Sequence, residues 1–135
     1  MIVADSSAWI ELLRATDSPV DRTLSRLLDE DAEIAVTEMV IGEILSGARS
    51  EGEHTTLNHR LLAFPVLLLG GLTGFQAAAR LFSECWRRGE PVRKLADCLV
   101  AIPAIEAGAA ILHSDRDFDR IARCSPLTVV ELDSA

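Results

Sequence analysis

Short apolar runs alternate with amphipathic segments along the chain. Apolar runs without polar alternation are typical of strands that helices cover on both faces, and they lie at residues 2–4, 33–36, 65–69, 109–113 and 128–132. The segments between them show helical spacing of apolar residues, and they lie at residues 8–14, 19–29, 38–49, 54–63, 73–88, 95–107 and 116–122. The alternation predicts an α/β sandwich of three layers, with helices flanking a central, mostly parallel sheet of about five strands.

Several of these helices carry recognisable end signals. Ser18 followed by Pro19 is typical of an N-cap and a first helical residue, and Thr37 is a second candidate N-cap. Gly108 is a typical C-terminal stop for the 95–107 helix. Pro103 lies inside that helix and predicts a kink, because it removes one backbone hydrogen bond.

The composition indicates a single globular domain over residues 1–135. Hydrophobic residues make up 49% of the chain and aromatic residues only 4%, so the core should consist mainly of Leu, Ile, Val and Ala. The start of the chain lacks a basic segment, and no apolar run is long enough to span a bilayer. We therefore expect a cytoplasmic location without membrane contact, and we expect Cys85, Cys98 and Cys124 to be buried free thiols.

The net charge of −8 argues against broad adhesion to nucleic acid. Lys94 is the only lysine among 13 basic residues, so nearly all basic side chains are arginines, which suit phosphate geometry. They cluster around residues 87–94 and 116–123. These clusters predict either a narrow basic track or solvated helix faces that pair with the surplus acids.

Four acids should converge on one edge of the predicted sheet. Ligands gather at the carboxyl ends of parallel strands, and Asp5 and Asp115 directly follow two of the strands. Glu43 lies in the second turn of a helix that starts from the same edge, on its apolar stripe. Asp97 begins a helix that leads back to the amino end of a strand. Topology alone therefore brings the four carboxylates together.

Each acid also has a structural interpretation. Glu43 could form an internal salt bridge, Asp5 could cap the first helix, and Asp97 could favour a helix dipole. Residues 114–117 fit a capping box with Ser114 as the cap. We favour the shared site, because four unrelated caps on one edge are the less economical explanation.

Crowded carboxylates need protons or cations for neutralisation. Hard oxygen ligands without nearby His or Cys favour Mg²⁺, with Mn²⁺ as a substitute. We expect His54 and His59 to be surface residues and His113 to have no ligand role. A carboxylate-held metal site predicts hydrolysis of phosphodiester bonds.

Four stretches of the chain resemble the PIN-domain nucleases, and among them the VapC-type toxins of toxin-antitoxin pairs. They are IVADSSAWIELL, AVTEMVIGEILSGAR, KLADCLVAIPAIEAGAAILHSDRDFDRIA and TVVEL. The resemblance spans nearly the whole chain. It implies a PIN-like fold, Mg²⁺-dependent endoribonuclease activity on structured RNA such as tRNA, and inhibition by a VapB-type antitoxin. It also implies a homodimer that forms a hetero-oligomer with the antitoxin.

The resemblance assigns roles by position. Asp5, Glu43, Asp97 and Asp115 match the catalytic, metal-binding acids of the family, and Asp117 matches a fifth metal ligand. The supporting hydroxyl positions are Ser6, Ser7 and Ser114. Arg116 lies where a basic residue could contact the scissile phosphate.

Two other functions fit parts of this pattern. A phospho-acceptor receiver domain also carries an acidic cluster, but it needs a lysine near the last strand, and the only lysine is Lys94. A non-catalytic PIN-like binding module would keep the fold without binding divalent ions. The presence of all the expected acids argues against that module.

Overall fold

The central feature of the fold is a parallel sheet of five strands. A computed structural model describes residues 1–134. The strands are β1 (Ile2–Ala4), β2 (Ile34–Thr37), β3 (Val66–Leu67), β4 (Ala110–Leu112) and β5 (Thr128–Val129). Each paired strand runs parallel to its neighbour, in the order β3-β2-β1-β4-β5. The predicted fold class is confirmed.

Seven helices connect the strands within the described residues. They are α1 (Ser6–Leu13), α2 (Pro19–Asp29), α3 (Glu38–Ser46), α4 (Glu51–Leu61), α5 (Gly71–Arg87), α6 (Leu95–Glu106) and α7 (Arg116–Arg123). All seven predicted helices are present, with ends that differ from the prediction by up to three residues. The Ser18 cap and the Thr37 cap are confirmed, because each side chain accepts a backbone hydrogen bond in the first turn of its helix.

The strand order reverses direction at the boundary between β1 and β4. From β1 the chain proceeds to β2 and β3 on one side, and it then crosses to β4 and β5 on the other. Such a switch point opens a crevice at the carboxyl ends of the two central strands. Ala4 pairs with Leu112, so the residues that follow each strand emerge side by side.

Helix α6 is the most deeply buried helix of the fold. Every residue from Asp97 to Ala104 is buried, and the helix packs against α3, α5, α7 and β4. A helix that is apolar on all sides belongs in a core. Pro103 does not interrupt it, because the helical hydrogen bonding continues to Glu106. Asp97 is therefore held at the first turn of a rigid element.

One predicted cap is wrong. The capping-box interpretation made Ser114 the N-cap of the last helix, but the cap is Asp115, whose side chain accepts a hydrogen bond from the Asp117 backbone N–H. Ser114 instead donates its backbone N–H to the Ser7 hydroxyl at 3.1 Å. Asp5 caps α1 in the same way as Asp115 caps α7, because it accepts the Ser7 backbone N–H.

The cysteines follow the prediction in part. Cys85, Cys98 and Cys124 are all free thiols, but only Cys85 and Cys98 are buried, whereas Cys124 is half-buried. Burial raises the pKa of Cys98 to about 12, so that side chain stays a neutral thiol at physiological pH. Among the described residues, no helix has the length and apolar character that a membrane span requires.

Gly74 provides a test of the packing at the start of α5. The residue is buried, and a Cβ added to it would overlap the backbone carbonyl of Leu69. We expect Gly74→Ala to lower the free energy of unfolding by about 1–3 kcal/mol, because backbone must move to relieve the overlap. Urea unfolding followed by circular dichroism measures the change.

Gly42→Ala is the matched control, because Gly42 also lies inside a helix but has open space where a Cβ would stand. Alanine should raise the free energy of unfolding there by about 0.5–1 kcal/mol through its higher helix propensity. Equal effects at the two positions would contradict this account of the packing.

Candidate active site

Asp5 stands at the carboxyl end of β1 and is only 4% exposed. Its Oδ2 accepts hydrogen bonds from the Ser7 backbone N–H at 3.1 Å and the Ser7 hydroxyl at 2.7 Å. Burial raises the pKa of Asp5, and the Ser7 donors oppose that rise. Because the Ser7 hydroxyl also accepts the Ser114 backbone N–H, Ser7 ties the end of β1 to the end of β4.

Glu43 extends toward Asp5 from the second turn of α3. The side chain is half-buried, and its Oε1 accepts a hydrogen bond from the Ser6 hydroxyl at 3.2 Å. Burial and then the charge of Asp5 raise the pKa of Glu43. Among the described residues Glu43 makes no salt bridge, so the structural alternative for this residue is wrong.

Asp97 is a carboxylate with a strongly raised pKa. It is 5% exposed, and its Oδ2 is buried without any hydrogen-bond partner among the described residues. Burial, followed by the charges of Asp115 and Asp5, raises the pKa of Asp97 to about 7. A buried carboxylate oxygen without a donor is costly, so this atom requires a proton or a cation.

Asp115 and Asp117 complete the cluster from the start of α7. One carboxylate oxygen from each of Asp97, Asp115 and Asp117 lies within 4.8 Å of the other two. Asp115 is half-buried and Asp117 is fully buried. The structure thus brings the four predicted acids and Asp117 to the crevice between β1 and β4.

Two arginines neutralise Asp117 on opposite sides of its carboxylate. Arg120 donates to Oδ1 at 3.1 Å and also to the Pro91 carbonyl at 2.9 Å. Arg93 donates to Oδ2 at 3.0 Å and to Oδ1 of Asp115 at 3.2 Å. Arg93 is absent from the predicted site residues, because nothing in its local sequence indicates a partner 22–24 positions away.

Arg116 lies close to the cluster but does not pair with it. It is exposed, and within residues 1–134 it forms no ion pair. It lines an open surface depression next to the acids, together with Ser7, Arg93, Ser114, Asp115 and Arg120. Arg93 and Arg120 in this depression pair with the acids Asp115 and Asp117, and Arg87, Arg88 and Arg123 pair with glutamates on helix surfaces elsewhere.

The histidines do not join the carboxylate cluster. His54 and His59 are exposed, as predicted. His113 is buried, its Nδ1 accepts the Asp115 backbone N–H at 2.9 Å, and its Nε2 lies 3.3 Å from Asp119. Lys94 precedes α6 and does not follow β5, so the receiver-domain pattern is not met.

The donor set suits a hard divalent cation. Every candidate ligand is a carboxylate oxygen, and one of them is buried without a hydrogen-bond donor within residues 1–134. Oxygen-only sites favour Mg²⁺ or Mn²⁺ over zinc. The chemistry available to such a site, with arginines beside it, is attack on a phosphate ester.

A family comparison agrees with this geometry. The family model described as "PIN domain" matches residues 2–123 of the chain. The chain belongs to the PIN-domain family. Among relatives of this PIN domain, the VapC ribonuclease Mb1587 of Mycobacterium bovis and ribonuclease VapC11 of Mycobacterium tuberculosis are each 45% identical over 128 residues. That match covers 94% of this chain and 96% of each relative.

Solved structures support the same fold. The PIN domain superposes on a structure of VapBC2 from Rickettsia felis, bound to a DNA fragment from its promoter, with a TM-score of 0.72. The match covers 98% of this chain and 100% of that chain at 17% identity. At that identity the likeness establishes the fold.

Asp97→Asn should stabilise the protein in a pH-dependent way when EDTA is present. The folded-state pKa of about 7 exceeds the ordinary value of 3.8, so the folded state holds a proton that the unfolded state has released. Stability therefore falls as the pH rises from about 4 to about 7. Asp97→Asn carries no charge at this position, so its stability does not fall with pH for this reason.

The free energy of unfolding of Asp97→Asn, minus that of the wild type, should be near zero at pH 4.5. It should reach about 1–3 kcal/mol at pH 8, since one pKa unit corresponds to ~1.4 kcal/mol and solvent screening removes part of it. Urea unfolding across this pH range measures the difference. A difference independent of pH would show that Asp97 is ionised throughout.

Proposed function

We propose that this PIN domain is a Mg²⁺-dependent endoribonuclease and the toxin of a toxin-antitoxin pair. The observation that supports the proposal most strongly is the buried Oδ2 of Asp97, which has no hydrogen-bond partner among the described residues and lies beside the carboxylates of Asp115 and Asp117. The names of the 45% identical relatives, which are VapC ribonucleases, favour RNA as the substrate.

We assign the metal to Asp5, Glu43, Asp97 and Asp115. Asp97 offers the buried Oδ2, and Asp115 has an Oδ2 that accepts no hydrogen bond from the described residues. Both oxygens of Asp117 already accept from arginines. Asp117 therefore serves mainly to position those arginines, and its metal-ligand role depends on whether a cation replaces one of them.

The serines hold the ligands in place. Ser7 fixes one oxygen of Asp5, and Ser6 fixes one oxygen of Glu43. The Ser114 backbone, held by Ser7, sets the start of the loop that carries Asp115. A rotation of either carboxylate would break a hydrogen bond, so these contacts preorganise the site.

When bound, Mg²⁺ in such a site supplies Lewis-acid activation of a water molecule and of a phosphate oxygen. The residues of this chain bind and orient the RNA. The depression lined by Arg93, Arg116 and Arg120 adjoins the acids, and guanidinium groups are suited to two-point contacts with phosphate. This local track compensates for the net charge of −8.

Structured RNA such as tRNA is the substrate that we favour, because the acidic surface permits only a short basic contact. Shape then has to contribute to recognition, as it does in folded RNA. A VapB-type antitoxin is the proposed protein partner. The Rickettsia felis neighbour is a VapBC complex with DNA, and large apolar side chains such as Leu72 and Phe75 are exposed here for protein contacts.

Cleavage of total bacterial RNA by the purified protein tests the proposal. We expect discrete fragments with Mg²⁺ and none with EDTA. Asp97→Asn should reduce the rate at least about 100-fold, because removal of a metal ligand removes the activation of water. Asp29→Asn is the matched control, since Asp29 is an exposed acid outside the cluster, and it should cleave like the wild type.

Two results would contradict the nuclease. One is cleavage that continues in EDTA, and the other is equal activity of Asp97→Asn and the wild type. Folded, antitoxin-free protein that cleaves no RNA with Mg²⁺ or Mn²⁺ would favour the non-catalytic binding module.

A further inference from the structure

Arg93 contacts the acid cluster from the solvent side. Its guanidinium joins Asp115 and Asp117 through two separate nitrogens, Nη2 at 3.2 Å and Nε at 3.0 Å. The side chain of Arg93 is 65% exposed, whereas that of Asp115 is 19% exposed and that of Asp117 is fully buried. Arg93 therefore covers two carboxylates that would otherwise face water or a cation.

Asp117 does not depend on Arg93 for its charge compensation. Arg120 holds the other oxygen of Asp117, and its side chain is only 27% exposed. The Pro91 carbonyl fixes the same guanidinium nitrogen of Arg120. Arg120 is thus an anchored partner, and the departure of Arg93 would leave Asp117 paired.

The backbone at Arg93 is fixed, whereas most of its side chain is exposed to solvent. The preceding residue, Val92, is fully buried, and its carbonyl accepts the Trp86 indole N–H at 3.2 Å. The side chain can therefore leave the carboxylates without a rearrangement of the loop. The pair with Asp115 is exposed and the pair with Asp117 is partly buried, and ion pairs that reach solvent contribute little free energy.

We propose that Arg93 is a built-in competitor of the divalent cation. Its guanidinium neutralises Asp115 and Asp117 when no metal is bound, and a divalent ion that takes Asp115 Oδ1 or Asp117 Oδ2 as a ligand displaces it. Arg93 thereby lowers the metal affinity of the resting protein and protects the cluster from its own repulsion. This inference rests on the proposed function, because it requires that the cluster bind a divalent ion.

The displaced Arg93 side chain can remain in the neighbouring surface depression. The depression that Arg93 lines with Ser7, Ser114, Arg116 and Arg120 is the proposed phosphate surface. Metal binding would then release one more guanidinium toward RNA. Arg93 thus links the binding of the metal to the positive charge of the surface that contacts RNA.

Mn²⁺ binding to the purified, antitoxin-free protein, followed by isothermal titration calorimetry, tests the inference without any activity measurement. Arg93→Gln should bind Mn²⁺ about fivefold more tightly than the wild type, because the substitution removes the two weak ion pairs with Asp115 and Asp117 that compete with the cation. Arg93→Lys keeps the charge but cannot bridge both carboxylates, so it should lie between the two. Thermal unfolding confirms that each variant is folded.

Arg116→Gln is the matched control, because it removes the same charge from the same depression without breaking an ion pair among the described residues. It should change the Mn²⁺ affinity less than about twofold, as expected for a solvent-screened charge. An equal gain in Mn²⁺ affinity for Arg93→Gln and Arg116→Gln, or no gain for either variant, would contradict the proposal that Arg93 competes with the cation.

A further comparison separates this inference from the proposed function. Wild-type binding that Asp97→Asn abolishes supports the metal site, whatever Arg93 does. Wild-type protein and Arg93→Gln that both fail to bind Mn²⁺ would overturn the metal site and the competition together.

Discussion

The repulsion among carboxylates at the crevice between β1 and β4 is the constraint on which the rest of the site depends. Asp5, Asp97 and Asp117 are each at least nine-tenths buried, in surroundings where like charges interact strongly. Their positions follow from the fold, because the parallel strands and the buried helix α6 deliver them to one edge. The surrounding contacts therefore serve to make this crowding tolerable.

Different groups stabilise the charge of each carboxylate. Serine hydroxyls and backbone N–H groups satisfy Asp5 and Glu43, and two arginines neutralise Asp117. The Oδ2 of Asp97 accepts no hydrogen bond within the described residues. The raised pKa of Asp97 shows that the ionised carboxylate is unfavourable there. Functional sites commonly retain such unfavourable groups because the bound ligand relieves them. The distribution of donors thus identifies where a cation is most needed.

Much of this arrangement could be predicted from the sequence. The alternation of apolar runs and helices predicts the sheet, and Asp5, Glu43, Asp97 and Asp115 converge through topology alone. Local chemistry was less predictable. Asp115 rather than Ser114 caps α7, because the helix begins at Arg116 and Asp115 directly precedes it in an extended conformation. The pairing of Arg93 with Asp117 spans 24 positions and two elements, and surface arginines are common enough that their sequence positions do not reveal such partners.

The most direct test of the central claim is an anomalous diffraction map from crystals of the antitoxin-free protein soaked in Mn²⁺. The account predicts a peak in the crevice, within about 2.0–2.3 Å of carboxylate oxygens from Asp97 and Asp115. The electron density map from the same crystals should show the Arg93 guanidinium moved away from Asp115 Oδ1 and Asp117 Oδ2. A peak confined to exposed acids elsewhere, with Asp97 still without a partner, would contradict the claim that these carboxylates form a metal site.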